Sequence, residues 1–292
     1  MPWLLVADSV SAPQRVQRAL AWRIRNAYWT LVQLPAQLRA WVGFLSNKHH
    51  YELLTEAQLR DSRRSDTVFI FGSGGSLNDI SASEWRAIEA HDTFGFNWFV
   101  HQQFVRSDFH VVREIGEWQD WRSDIRRYFD LINSNPRFAN TRFLVQTGLG
   151  GVNGNRAIWL RLLPRLRRVF LFRSHRGSRL PSTSLADGVA HTEGTLSDCI
   201  NLAALLGWRH IVLCGVDLYN RQYFWLPSGE PRHGDSTTVG PHNTAIGGIV
   251  DSVGAWREFY ARQGVSLYVY NPKSLLAQVL PVWQRPAETI RA

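Results

Sequence analysis

The sequence predicts an α/β fold, a mostly parallel sheet covered by helices on both faces, and three observations predict it. Short β-favouring apolar runs recur along the chain, helical patterns fall between several of them, and one run, Thr67–Phe71, leads straight into the glycine-rich turn Gly72-Ser73-Gly74-Gly75-Ser76. Strands buried on both faces read as continuous apolar runs, as Thr67–Phe71 and His210–Cys214 do. Further strand runs span 93–96, Phe109–Val112, 142–146, 168–172 and 266–270, and helical spacing covers 80–90, Thr195–Leu206 and 244–263. No internal repeat or low-complexity tract interrupts the pattern.

Upstream of these runs the pattern is different. From Pro13 to about Leu45, apolar residues recur at helical spacing (Leu20, Ile24, Ala27, Tyr28, Leu31, Leu34, Leu38, Trp41, Val42, Leu45), with Arg15, Arg18, Arg23, Arg25 and Arg39 interspersed and Pro35 marking a kink. Two readings fit: a basic amphipathic helix or helical pair on an anionic membrane, with Trp22, Trp29 and Trp41 as interfacial anchors, or a hairpin packed on the main domain. Residues 1–60 are therefore expected to form a helical extension, the polar segment 47–65 a boundary, and residues 61–292 the nucleotide-binding catalytic domain.

Composition narrows the function classes. A chain of 292 residues with 45% hydrophobic and 20% charged residues can bury one large α/β core and leaves little room for extended disorder. Thirteen Trp beside a formal charge of +9 suit an anionic partner, whether lipid headgroups, nucleotides or nucleic acid. The only two cysteines, Cys199 and Cys214, lie in apolar stretches, which speaks against a disulfide framework and against structural zinc. The first residues lack a basic leader and a spanning apolar run, so a cytoplasmic location is expected.

The chemistry-bearing residues fall at the ends of the strand runs. Gly72, Ser73, Gly74, Gly75 and Ser76 put backbone N–H groups and small hydroxyls at the carboxyl edge of the sheet, where phosphate binds well, and the following helix adds its positive end. Asn97 ends the next strand, with an amide that both donates and accepts. After the run His210–Cys214 come Gly215, Asp217 and Tyr219, with Tyr223 close behind; Asp217 also reads as a brace for its loop, and the phenols suit a leaving phosphate. The polar stretch at about 225–241 reads as a lid, and His242 just beyond it has an imidazole able to take a proton near neutral pH. His191 and His233 are the alternative bases.

In this order the motifs resemble a family, the bacterial lipooligosaccharide sialyltransferases that use a CMP-activated nonulosonic acid. The residues that carry the resemblance are Gly72-Ser73-Gly74-Gly75-Ser76-Leu77, Phe96-Asn97, Thr192-Glu193-Gly194-Thr195, Gly215-Val216-Asp217-Leu218-Tyr219, Gly240-Pro241-His242 and Asn271-Pro272-Lys273-Ser274-Leu275-Leu276, spanning roughly 67–281. The resemblance implies a Rossmann-like sheet of the variant GT-A type and an inverting transferase. It also implies that Asn97 and Thr195 contact the nucleotide, that Tyr219 and Tyr223 steady the leaving phosphate, that His242 is the general base, and that no metal or other cofactor is required. Ser73 stands where the family has an asparagine, and His191 stands near where it has an arginine, so the sugar moved is expected to be sialic acid or a related keto-sugar such as Kdo. The expected partners are a CMP-sugar donor, a glycan or glycolipid acceptor, and the inner face of an anionic membrane, with oligomerisation left open.

Two rival readings accompany this one. The basic run Arg161, Arg165, Arg167, Arg168 suits a nucleic-acid-binding protein, although no nucleic-acid motif accompanies it and no nucleic-acid partner is expected. The Gly-x-Gly-x-Ser-Leu and Gly-x-Asp pattern is also similar to that of pterin pyrophosphokinase-like proteins, which would bind ATP with magnesium.

Overall fold

The computed structural model describes residues 38, 41–113, 121–147, 158, 161–163, 167–176, 180–232 and 235–284. The strands are β1 (Glu52–Leu53), β2 (Thr67–Phe71), β3 (Asp92–Phe96), β4 (Phe109–Val112), β5 (Arg142–Thr147), β6 (Arg168–Arg176), β7 (Val189–His191), β8 (His210–Cys214) and β9 (Ser266–Val269). They join in the order β1-β6-β5-β4-β3-β2-β8-β9, with β7 beside β6, and every pairing is parallel. The helices are α1 (Glu56–Asp61), α2 (Ala82–Glu89), α3 (Trp121–Ser134), α4 (Thr195–Leu206), α5 (Asn243–Ile246) and α6 (Ile249–Ala261).

The side-chain period of two sorts the strand residues between two faces. Val68 and Ile70 of β2, Phe94 and Phe96 of β3 and Ile211 and Leu213 of β8 pack with α4 and α6 on one face. Phe69, Phe71, Val212 and Cys214 meet Trp85 and Ile88 of α2 on the other, and further along that face Val112, Phe143 and Val145 meet Ile125, Phe129 and Ile132 of α3. All five residues of β2 are buried, so the uninterrupted apolar run in the sequence follows from helices covering both sides.

Helix α4 is the central helix, and of its residues only Ala204 lies outside the buried set. It therefore has no polar stripe, and its few polar side chains, Thr195, Ser197, Asp198 and Asn201, are buried with it. Asn201 accepts from the Ala190 and Ser182 amides and donates to Ser182 O and the Tyr260 hydroxyl.

The single helix expected over 244–263 is two. Gly248 adopts φ 97°, a left-handed conformation that ends α5 and restarts the chain as α6 in a new direction. The polar segment expected as a boundary carries structure as well: Glu52–Leu53 forms the sheet edge against β6, Thr55 caps α1 with a capping box to Gln58, and Leu59 is fully buried in the main core. The transition expected near residue 60 thus falls inside the fold.

Of the basic amphipathic extension, only residue 38 and residues from 41 onward are described; the rest of it, with its Arg side chains and Trp22 and Trp29, lies outside the described residues. Residues 41–47 are helical, with Gly43 and Asn47 buried and Phe44 packed on the core, while Leu38, Trp41, Val42 and Leu45 are exposed. One face of this segment packs and another, apolar, faces solvent. No described helix is long and apolar enough to cross a membrane.

Candidate active site

Strand order decides where the site lies. From β2 the chain crosses to β3 and continues outward through β4, β5 and β6, then returns to place β8 on the opposite side of β2. The crossovers on either side of β2 therefore leave in opposite directions, which opens a crevice at the carboxyl ends of these strands. A cleft of about 1050 Å³ lies there. Gly72, Ser73 and Gly74 line it after β2, Asn97 and Trp98 after β3, Arg113 after β4, and Gly215 and Asp217 after β8; Thr195, Tyr223 and His242 line it from the neighbouring loops and helix start.

The glycine turn is built differently from an open phosphate cradle. The Gly72 amide donates to Cys214 O (2.8 Å), Gly74 to Gly215 O (2.7 Å), Gly75 to Gln222 O (3.0 Å) and Ser76 to Asp217 Oδ2 (2.9 Å). Four N–H groups expected to face a ligand are taken up by the end of β8 and the loop that follows it. Asp217 is 3% exposed and accepts in addition from the Ser76 hydroxyl (2.5 Å) and Asn271 Nδ2 (2.9 Å), so its carboxylate is occupied as a brace. Gly75 and Ser76 stand outside the cleft lining for the same reason. Gly74 is required by space: a Cβ there would sit 2.4 Å from Asp217 Oδ2 and 2.8 Å from Gly215 O.

Tyr219 also departs from expectation. Its hydroxyl bonds the Asn271 side chain, burial and the nearby Asp217 carboxylate raise its pKa, and it is not part of the cleft wall. Tyr223 is part of that wall. Its hydroxyl lies 3.4 Å from His242 Nε2, the Arg232 side chain hydrogen-bonds it, and the Arg232 guanidinium lies 5.7 Å from the centre of its ring. Burial raises the Tyr223 pKa and the neighbouring Arg232 opposes that rise. Arg221, which also lines the cleft, donates to Asn243 Oδ1 and Pro241 O and so ties the lid stretch to α5. At its start that stretch is anchored, with Phe224 buried in the core and Trp225 stacked on His101 at 4.7 Å.

His242 is held at both ends of its residue. Its amide donates to Leu218 O (2.9 Å), and its Nδ1 accepts from the Thr244 amide (3.2 Å) as the cap of α5. An amide can only donate, so Nδ1 carries the lone pair and the neutral ring bears its hydrogen on Nε2, which faces Tyr223. Burial, the leading cause, lowers the His242 pKa, with Arg221 and Arg232 adding to it and Asp235 opposing. In that tautomer the Nε2–H is placed to donate toward the cleft. His233 lies outside the described residues.

A second histidine has the opposite arrangement. His191, 4% exposed, ends β7 on the cleft wall, and its Nδ1 lies 2.5 Å from Asp198 Oδ2 on the first turns of α4. Arg113 Nε lies 3.7 Å from the same carboxylate oxygen. Across the β6–β7 ladder the register partner of His191 is Arg176, and both line the cleft. Sequence reasoning named His191 only as an alternative base and missed its partner Asp198. Their partnership depends on the turn that folds α4 back against β7, which no local pattern reveals. Among the described residues, no group of three or more His, Cys, Asp or Glu side chains is placed to hold a metal ion.

Comparison with family profiles and with curated proteins gives no match. Among solved structures the chain is similar to the Maf glycosyltransferase of Magnetospirillum magneticum AMB-1, at 15% identity and a TM-score of 0.45 over 78% of this chain and 37% of that one. It is also similar to the monofunctional alpha-2,3-sialyltransferase Cst-I of Campylobacter jejuni, at 14% identity and a TM-score of 0.44 over 74% of this chain and 80% of that one. The chain thus spans little more than a third of the length of the Magnetospirillum protein.

Proposed function

We propose that this protein is a glycosyltransferase that moves a sialic acid or related keto-sugar, a nonulosonic acid or Kdo, from a CMP-sugar to a glycan or glycolipid hydroxyl. One observation carries the reading: Arg232, Tyr223 and His242 put a guanidinium, a phenol and an imidazole N–H on one wall of a cleft that the ends of β2, β3 and β8 enclose. A volume of about 1050 Å³ is ample for a nucleotide sugar. Such a wall stabilises negative charge as it develops on a phosphate leaving group, the task that a divalent cation performs for diphosphates. The reading therefore needs no metal.

In this reading the nucleotide lies along Ser73, Asn97 and Thr195, and its phosphate meets Tyr223, Arg232 and the Nε2–H of His242. The acceptor oxygen attacks the anomeric carbon as the sugar–phosphate bond breaks, and a single displacement inverts that centre. The stretch at 225–241 serves as a lid over the donor. The acceptor is held at an anionic membrane surface, which the exposed apolar side chains of Leu38, Trp41, Val42 and Leu45 support.

The test uses the purified full chain with EDTA present and offers CMP-sialic acid, CMP-Kdo and UDP-sugars, with nucleotide release as the readout. Release from a CMP-sugar supports the reading. Silence with every CMP-sugar, together with no binding of CMP or CDP, overturns it, and binding of ATP with magnesium alone would favour a pyrophosphokinase.

A further inference from the structure

Among the described residues two histidines, His191 and His242, line the cleft, and their hydrogen-bond partners set opposite tautomers. The amide of Thr244 donates to Nδ1 of His242, whereas the carboxylate of Asp198 can only accept, so Nδ1 of His191 bears a hydrogen directed at it, 2.5 Å away. In the neutral ring of His191 the lone pair therefore lies on Nε2. The described residues show no bond to that nitrogen, and the ring forms part of the cleft wall. A buried carboxylate behind an imidazole fixes the ring and stabilises it once protonated, which is what a general base requires. Asp198 is itself held in place by burial within α4 and by Arg113, 3.7 Å away.

We propose that His191, positioned by Asp198, is the base that removes the acceptor hydroxyl proton; the assignment rests on the glycosyl-transfer reading above. The proton passes from the acceptor oxygen to Nε2 of His191. The oxygen's electron pair forms the bond to the anomeric carbon, and the bond to the phosphate oxygen breaks with its electrons leaving on CMP. His242 donates its Nε2–H to that phosphate and keeps the proton. The imidazolium of His191 then releases its proton to solvent. Arg176, the ladder partner of His191, places a cation beside the incoming hydroxyl, which suits an acceptor bearing a carboxylate or phosphate near it.

The experiment compares His191→Gln, Asp198→Asn and His242→Gln in the full chain, measuring turnover of the CMP-sugar found active and binding of CMP by calorimetry. His191→Gln should lower kcat by about 100-fold or more while leaving CMP binding unchanged, the usual worth of a general base. In His191→Ala, added imidazole should restore part of the turnover. Asp198→Asn, altering a positioning residue, should lower kcat with KM unchanged and move the tautomer signature of His191 in nitrogen-15 spectra. His242→Gln should weaken CMP binding. Turnover that survives in His191→Gln, or imidazole rescue of His242→Ala alone, overturns the assignment and leaves the glycosyl-transfer reading standing. A wild-type chain silent with every CMP-sugar overturns both. Should the variants fail to fold, nitrogen-15 spectra of the wild type decide: hydrogens on Nδ1 of His191 and Nε2 of His242 support the assignment, and the reverse pair overturns it.

Discussion

Asp217 accepts from both the amide and the hydroxyl of Ser76, at 2.9 and 2.5 Å, and so locks the turn after β2 to the loop after β8. Its remaining hydrogen bond, from Asn271 at 2.9 Å, ties in the segment that follows β9. Three stretches distant in sequence meet on one buried carboxylate at the floor of the cleft.

The first prediction follows from that carboxylate. Asp217→Ala leaves the Ser76 amide, the Ser76 hydroxyl and the Asn271 amide without their acceptor in a buried place. It should destabilise the fold by about 3 kcal/mol, given that each unsatisfied buried group costs on the order of 1 to 3 kcal/mol. The shift in urea midpoint measures it, and an unchanged midpoint would count against the bracing role.

Gly74 offers a comparison that separates space from backbone strain. Its φ is −69°, an ordinary value, so Gly74→Ala suffers only from the collision with Asp217 and Gly215. That substitution should cost about 2 to 3 kcal/mol by overpacking. Gly229 has φ +82° with nothing within 4 Å of an added Cβ, and Gly229→Ala should cost about 1 kcal/mol from the left-handed backbone alone. Thermal unfolding of the two variants should rank them in that order.

The two tyrosines separate in function. Tyr223→Phe removes the hydroxyl beside His242 and Arg232 and should lower turnover by about 100-fold, the lower end of the range for one transition-state donor. Tyr219→Phe loses only a bond to Asn271 away from the cleft and should stay within a factor of about three of wild type. Initial rates with the active CMP-sugar settle it; equal losses in both variants would contradict the placement.

Acid should weaken the fold through histidines that are buried without charge. Burial lowers the pKa of His110 from the ordinary 6.5 to about 3, and its Nε2 lies 2.6 Å from the Tyr128 hydroxyl. The folded pKa is below the unfolded one, so the unfolded chain binds the proton first. Stability is therefore fully present above pH 6.5 and declines as pH falls toward 3. One such ring contributes a slope of up to about 1.4 kcal/mol per pH unit. His101, lowered to about 4 chiefly by burial and further by Arg127, acts in the same direction. Denaturant titrations between pH 7 and 5 should show a shallower slope in His110→Gln than in wild type.

Membrane contact is testable apart from catalysis. Trp41 and Val42 are 50% and 56% exposed on the helical turns that precede β1. Replacing both with Glu should lower co-sedimentation with anionic lipid vesicles by at least about tenfold, given 1.5 to 3 kcal/mol for burying one large apolar side chain. Turnover on a soluble acceptor should remain, because neither side chain touches the cleft.

The parts of the fold legible in the sequence are those set by local pattern. The runs that became β2 and β8 are apolar on both faces because helices cover both, and that burial writes itself into consecutive residues, whereas β9 at the sheet edge alternates buried and half-buried residues. Strands β1 and β7 have two and three residues and form only because β6 is long enough to pair with both, so no local run announces them. Helix α3 is absent from the expected elements although Ile125, Tyr128, Phe129 and Ile132 recur at helical spacing, with Arg126, Arg127 and Asp130 between them as the polar face of an ordinary amphipathic helix. The split at Gly248 depends on one backbone angle inside an otherwise continuous helical pattern.

The same division holds for the candidate site. Glycines, tyrosines and histidines at strand ends could be named in advance, because in a parallel α/β sheet the carboxyl ends of the strands point one way and their loops gather there. Which of those groups faces the cleft is another matter. Ser76 and Tyr219 turn toward Asp217 and Asn271, while His191 turns toward Asp198 with its other nitrogen left to the cleft. Residue type and spacing carry the local propensities that form strands and turns. The direction of a hydrogen bond between groups 141 residues apart, or the tautomer that a capped helix imposes on its histidine, exists only once distant segments are packed together.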